Sequence, residues 1–347
     1  MPDQHTDDRV DALTVQVGAP ADDNEFLQVT DRYRRELMAH CYRMLGSVHD
    51  AEDLLQETYL RAWRSYHGFE GRSSMRTWLY RIATNACLNA LESKARRPLP
   101  TGLGQPSSDP TDPLVENNEV PWLEPVPDSF VNTTAADPAA VVSGRASVRL
   151  ALIAALQHLP PKQRAALVLR EVLQMPAAEV AVVLDTSVAA VNSSLQRARA
   201  QLEAAGLSED DVVEPSETEQ RALLDTWVAA LESKNISQIV KLFTADAVWE
   251  MPPFVGWYVG PDAIAKLIDT ACPAGPNEMK MLPVQANGQP GFALYILAEG
   301  EWKAFQLQVL TLRQGKIAHA TVFFDQSLFT TFGMPLSLSL AEYPART

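Results

Sequence analysis

The sequence is poor in cysteine: Cys41, Cys87 and Cys272 are odd in number and far apart among 347 residues. That excludes a disulfide framework and reads as three small hydrophobes kept reduced. The six histidines show no paired ligand spacing with one another or with the cysteines, so neither a structural metal nor a cofactor is expected. No stretch approaches the roughly 18 apolar residues of a membrane span, so no membrane partner is expected. The opening "MPDQHTDDRVDALTVQ" lacks the basic start and apolar middle of a signal peptide, and the expected address is cytoplasmic. With 46% hydrophobic and 21% charged residues, the chain reads as a soluble protein of two or three domains.

Basic residues are also scarce, 29 against 43 acids, for a net charge of −14. They are unevenly placed. Residues 72–97 hold six Lys or Arg and one acid, and residues 145–202 hold seven and three. Residues 98–144 hold no Lys or Arg and seven acids. Local field rather than total charge governs contact with phosphates, so the two basic stretches are candidate nucleic-acid surfaces.

The second basic stretch patterns as a helix-turn-helix. Two helical runs meet at Pro160-Pro161, where proline can start a helix but not continue one. "AAEVAVVL" then gives a short helix with Val180, Ala181 and Leu184 on one face. Asp185-Thr186 makes the turn, and Ser187 is placed to cap a helix whose inward residues are Val188, Val191 and Leu195. Ser187 with Ala189, Ala190, Asn192, Ser193, Gln196, Arg197 and Arg199 forms the outward set, able to meet base edges and phosphates in a major groove. Taken alone, the same spacing fits helices packed in a plain bundle.

The first basic stretch lies in "YRRELMAHCYRMLGSVHDAEDLLQETYLRAWRSYHGFEGRSSMRTWLYRIATNACLNALESKARR", three or four helices broken at Gly46, at His67-Gly68 and at Gly71 to Ser74. Asp50, Glu52, Asp53 and Glu57 share a polar face. After the loop, Arg72, Arg76, Arg81, Lys94, Arg96 and Arg97 are interleaved with Trp78, Tyr80 and Asn85. That mixture suits unpaired nucleic acid, with cations tracking the backbone while rings and amides engage bases. Trp78 as a core aromatic and Asn85 as plain helix surface are the structural alternatives.

In order and spacing, "DAEDLLQETYLRAWR", "MRTWLYRIATNACLN" and "LPPKQRAALVLREV" with the helix-turn-helix closely resemble the extracytoplasmic-function group of bacterial RNA polymerase sigma factors. The resemblance covers residues 24–98 as region 2 and 145–205 as region 4. It implies that Asp53, Leu54, Gln56 and Glu57 dock on the polymerase clamp, with region 4 at the flap. It assigns Phe69, Arg72, Arg76, Trp78, Arg81 and Asn85 to the −10 promoter element, and the helix from Val188 to Leu202 to the −35 element. The chain departs from the family pattern at Asp185, where glycine is frequent, and at Ala190, Asn192 and Ser194, which remove charged contacts; weak or unusual −35 recognition is the expectation.

Residues 99–144, proline-rich and acidic, cannot build a core and are expected to be largely extended. They read either as a mimic of nucleic acid in a basic polymerase channel or as a passive tether. Within them "PWLEPVPD" resembles a motif of sigma factors carrying a C-terminal extension, and Trp122 and Leu123 are expected to pack on a folded domain. "LSEDDVVEPSETEQ" reads as an acidic hinge. Beyond it, "RALLDTWVAALES" and "ISQIVKLF" give helices, "DAVWEM" a strand, and "GFALYILA" and "WKAFQLQVLTLRQGKIAHATVFFD" antiparallel strands with a four-residue hairpin at Arg313 to Lys316.

The run "LFTADAVWEMPPFVGWYVGPDAIAKLI" strongly resembles the SnoaL-like branch of the NTF2-like fold, over residues 218–335. The expected fold is therefore multidomain: two all-α modules, a helical bundle and a helix-turn-helix, followed by an α+β NTF2-like cone. Trp249, Met251, Trp257, Tyr258 and His319 are candidates to line its pocket, suiting either a small-molecule ligand or packing against the sigma modules. Asp246, Glu250, His319 and Asp325 are candidate acids and bases, though no spacing pairs them.

Three classes of function compete. A sigma factor needs core polymerase and promoter DNA, and its C-terminal domain regulates. A free-standing repressor would grip duplex DNA alone, against the acidic balance. An enzyme with accessory helices would turn over substrate in residues 218–335. The sigma reading, without catalysis, accounts for most of the motifs.

Overall fold

The computed structural model describes residues 23–131, 147–204 and 217–344. The N-terminal tail, the end of the acidic linker and most of the acidic hinge lie outside the described residues.

Four helices form the first module: α1 (Asp23–Thr30), α2 (Arg34–Leu45), α3 (Val48–Ser65) and α4 (Met75–Ser93). Their ends follow from local chemistry. Gly46, at φ 70°, closes α2 in the left-handed conformation open to glycine. The Ser47 hydroxyl accepts from Asp50 N to cap α3, and Ser74 caps α4 through Thr77 N. Leu37, Cys41, Tyr42, Leu79, Tyr80 and Cys87 fill the core between them.

A short helix of the linker, α5 (Asp128–Val131), lies against α2; the second module holds α6 (Leu150–Leu156), α7 (Pro161–Leu167), α8 (Ala177–Val183) and α9 (Val188–Ala204). Pro161 sits in the first turn of α7, as its missing N–H allows.

The C-terminal domain opens with α10 (Glu217–Glu232) and α11 (Ile236–Leu242), then β1 (Phe243–Glu250), β2 (Trp257–Val259) and α12 (Pro261–Ala271). Four long strands complete it: β3 (Met279–Ala286), β4 (Gln289–Ala298), β5 (Glu301–Arg313) and β6 (Lys316–Phe323); α13 (Ser327–Thr331) and β7 (Ser337–Leu338) follow. The sheet order is β2-β1-β6-β5-β4-β3, with β7 on β5. Only the β1–β6 pair is parallel among these strands. The β5–β6 hairpin is tighter than the sequence suggested: Arg313 pairs with Lys316, leaving Gln314 and Gly315 as a two-residue loop, both at positive φ.

The two faces of this sheet have different jobs. Cross-strand partners share a face, and neighbours along a strand alternate. Trp249 stands opposite Ala320 and Tyr258, and these pack with Trp227 and Phe243 into the core beneath the helices. Glu250 stands opposite Thr321 and Trp257 on the reverse face, which Val309, Leu307 and Phe323 share. Leu307, Val309 and Phe323 belong to one continuous buried cluster with the helical modules.

The linker lies in the seam. Its visible part has little regular structure, but it is anchored rather than loose: Leu123 and Val126 are fully buried, each contributing roughly 1.5–3 kcal/mol of apolar burial. Bridges join Glu116 to Phe254 and Pro127 to Ala286. The stretch builds no core of its own, and Leu123 packs on folded domains as expected, because those domains supply the apolar walls it lacks.

Candidate polymerase and nucleic-acid interface

On α3, Ala51, Leu54, Leu55, Thr58 and Ala62 turn inward, leaving Asp53, Gln56 and Glu57 exposed. Leu54 is 8% exposed and belongs to the core, so of the four residues assigned to polymerase docking it supports the face from beneath. Leu60 and Trp63, 55% and 46% exposed, extend the same face by one and two turns. Helical spacing groups Leu60 to Trp63 with Leu54, Leu55 and Thr58, but the structure turns Leu60 and Trp63 away from that buried stripe.

On α4, Trp78, Arg81 and Asn85 fall at i, i+3 and i+7, and Arg81 and Asn85 are exposed. Trp78 is half-buried: Phe69 packs on its ring at a centroid distance of 4.9 Å, and Tyr66 meets its edge. The other cations of this stretch are engaged within the protein. Arg76 donates to Glu36 at 2.8 Å and lies over the Tyr80 ring, on roughly the opposite side of the helix from Asn85. Lys94 and Arg97 both reach Asp50, at 2.8 and 2.7 Å. Burial pushes the Asp50 carboxyl up, but these two cations hold it below the usual range. Arg72 pairs with Glu70. Arg81 is thus the cation of the −10 set with no ion-pair partner among the described residues.

In the helix-turn-helix, Asp185 adopts φ 50° and Thr186 N donates to Ala181 O, closing the turn without glycine. Ser187 Oγ accepts from Ala190 N at 3.2 Å, the capping read from sequence. Val191, Leu195 and Ala198 face inward. Val188 does not: it is 43% exposed at the first position of α9. Ser187, Ala189, Asn192, Ser193, Gln196 and Arg197 are exposed and Ala190 partly so; Arg199 is exposed but paired with Glu171.

The two modules touch directly. Thr77 Oγ1 on α4 donates to Glu179 on α8 at 3.2 Å. Arg164, 3% exposed, donates to the Met44 carbonyl and, at 2.8 Å, to Gln157. Burial lowers its guanidinium to about 10, and the same force acts on Arg43, which donates to Ser147. The tip of the β3–β4 hairpin binds both modules. Asn287 Nδ2 donates to Tyr42 Oη at 2.7 Å and to Val148 O at 2.6 Å, while its Oδ1 accepts from Val126 N at 2.9 Å. Glu124 of the linker accepts from Ser47 at 2.7 Å and lies 3.0 Å from His49 Nδ1.

The proposed pocket lining is not brought together. Trp249, Met251 and Tyr258 are buried in the core under the helices. Trp257 and His319 belong to the reverse face, where Trp257 Nε1 donates to the linker carbonyl of Gln105 at 3.0 Å. His319 Nε2 lies 2.7 Å from Glu250, whose other oxygen accepts from Thr101 N and Oγ1 at 3.1 and 2.9 Å. Burial raises the Glu250 carboxyl, yet His319 and Thr101 hold it below the ordinary value. Asp246 is exposed and paired with Arg313, and Asp325 accepts from Ser327 at the start of α13.

A helical bundle carrying a half-buried Trp78 beside exposed Arg81 and Asn85, joined to a helix-turn-helix and an α+β cone, defines a multidomain transcription initiation factor. The chain matches the Sigma-70 region 2 model over residues 29–97, the Sigma-70 region 4 model over 149–202 and the SnoaL-like domain over 224–320. It is 54% identical to the ECF RNA polymerase sigma factor SigG of Mycobacterium tuberculosis over 323 residues, 92% of this chain and 87% of that protein. The sigma factor SigJ of the same species is 29% identical over 90% and 95%. Its crystal structure superposes with a TM-score of 0.59 over 89% of this chain and 99% of that one, at 25% identity. The chain belongs to the ECF RNA polymerase sigma factor family, with a SnoaL-like C-terminal domain. Sigma factors of this kind bind core RNA polymerase and promoter DNA.

Proposed function

We propose that this sigma factor docks on the polymerase clamp through Asp53, Gln56 and Glu57, with Leu54 beneath them, captures −10 bases with Trp78, Arg81 and Asn85, and reads the −35 element with α9. The C-terminal domain acts as a regulator rather than an enzyme, holding region 2 and region 4 against each other until polymerase separates them. It acts where polymerase acts, in the cytoplasm.

One observation carries the regulatory part: α8 rests on α4, the helix of the −10 stripe, through Thr77 and Glu179. The −10 and −35 elements lie roughly 25 base pairs apart, about 85 Å of duplex at ~3.4 Å per step. Modules in contact cannot span that distance, so the arrangement is an off state. Glu250 is fully buried and committed to Thr101 and to a partly exposed His319, which favours a fastening over a site of turnover.

In vitro transcription with core polymerase on genomic DNA tests this. Full-length protein and a truncation after Ala204 should both initiate at common promoters, the truncation more readily at low polymerase. Reversing Asp53 and Glu57 to Lys should abolish core binding. Initiation by the reversed protein, or tight duplex binding without polymerase, would overturn the reading.

A further inference from the structure

Trp227, Phe243 and Trp249 pack on the helix-covered face of the cone, and a cavity of about 600 Å³ opens where linker and C-terminal domain meet. This volume lies in the range of small-ligand sites. One wall is the linker from Pro121 to Glu124; the other is the loop at Pro252–Phe254 with Phe323 at the end of β6 and Phe324 just past it. Phe254 and Phe324 stand edge to face at 5.3 Å, and Phe324 meets Phe305 in the same way. The aromatic wall is therefore built and partly exposed rather than collapsed.

The charges facing the cavity are Arg97, Glu116, Glu124 and Asp325. Arg97 is already committed: it donates to Asp50 at 2.7 Å and to the Trp122 carbonyl at 2.8 Å, with Glu124 at 3.6 Å. Glu116 and Asp325 have no cationic partner among the described residues, and both are exposed at the rim. An aromatic wall under an anionic rim attracts positive charge through the ring faces and the carboxylates together. An anionic ligand would meet two uncompensated acids.

We propose that this seam is a binding site for a small amphipathic cation, an apolar or aromatic body carrying one ammonium group. The body lies against Phe254 and Phe324, and the ammonium meets Asp325 and Glu116. Because both walls must be present, the occupant binds the linker-docked form and strengthens it.

Calorimetric titration of the full chain with 2-phenylethylamine, and with 3-phenylpropionate as the anion of similar shape, tests the site. The amine should bind saturably and at least about tenfold more tightly than the carboxylate. Glu116→Gln with Asp325→Asn, both at exposed positions, should remove most of that preference while leaving the melting temperature of the free protein in place. Phe324→Leu should weaken the amine about tenfold or more. Equal affinity for the two probes, unchanged amine binding by the double variant, or no saturable heat at millimolar amine would each overturn the proposal.

Discussion

The side-chain amide of Asn287 donates to the Tyr42 hydroxyl at 2.7 Å, joining residues 245 positions apart in sequence. Both are fully buried, Asn287 at the tip of a β-hairpin and Tyr42 within the region 2 core. The same amide reaches Val148 beside region 4, and its oxygen holds Val126 of the linker. One residue of the C-terminal domain thus fastens both DNA-reading modules and the segment between them.

Replacing Asn287 with glycine keeps the positive φ and removes the three hydrogen bonds. Tyr42 retains its bond to the Glu124 carbonyl, but other buried groups lose partners, at a cost of roughly 1–3 kcal/mol each. Asn287→Gly should lower the melting temperature, speed proteolysis of the linker and raise transcription at limiting polymerase. A stable variant with wild-type protease resistance would refute the fastening role.

The Glu250 carboxyl is held below its ordinary range by His319 and Thr101 despite full burial. A carboxylate with a depressed folded value stabilises above its unfolded value of 4.5 and loses that contribution as pH falls through the folded one. Glu250→Gln should therefore flatten the acid limb of the stability profile below about pH 4.5. Thr101→Val should loosen residues 99–104 in hydrogen exchange without affecting the cone's core.

His40 is fully enclosed, bonded to Thr84 at 2.9 Å, and burial with Arg43 and Arg76 nearby drives it down to about 3 from 6.5. Its unfolded form gains a proton below pH 6.5 while the folded form does not. Region 2 should consequently lose up to ~1.4 kcal/mol per pH unit on acidification between those values, with no such loss above. His40→Gln should remove this component, read as melting temperature against pH.

On DNA, Arg197→Ala should weaken −35 binding across sequences and reduce the salt slope by about one. Trp78→Ala should cost about tenfold or more in open-complex formation, since one stacked base is worth ~1–3 kcal/mol. Permanganate reactivity of the −10 thymines measures the second. Unchanged melting by Trp78→Ala would assign that ring to the core alone.

The helix-turn-helix was legible because its signals are local: the Ser187 cap, the Asp185 turn and the inward Val191 and Leu195 each depend on a few neighbours. Strand β3 was not, because Pro283 argues against a strand. The sheet tolerates it at the edge, where β3 pairs only with β4 among its long strands. Charge was legible in amount but not in destination: nothing local shows that Asp50 consumes Lys94 and Arg97, 44 and 47 residues away. The pocket assignment failed on register. Strand alternation already separates Trp257 from Tyr258, but only the β1–β6 pairing shows that His319 shares a face with Glu250 rather than with Trp249.

The central claim is that region 2 and region 4 are held together in the free protein and parted by polymerase. Spin labels at Glu92→Cys on α4 and Gln201→Cys on α9, with Cys272→Ser and the buried Cys41 and Cys87 retained, report that separation by double electron–electron resonance. The account predicts one short distance in the free protein, lengthening by about 30 Å or more, close to a full turn of duplex, when core polymerase and promoter DNA are added. A long or broad distribution in the free protein, or a distance unchanged by polymerase, would contradict it.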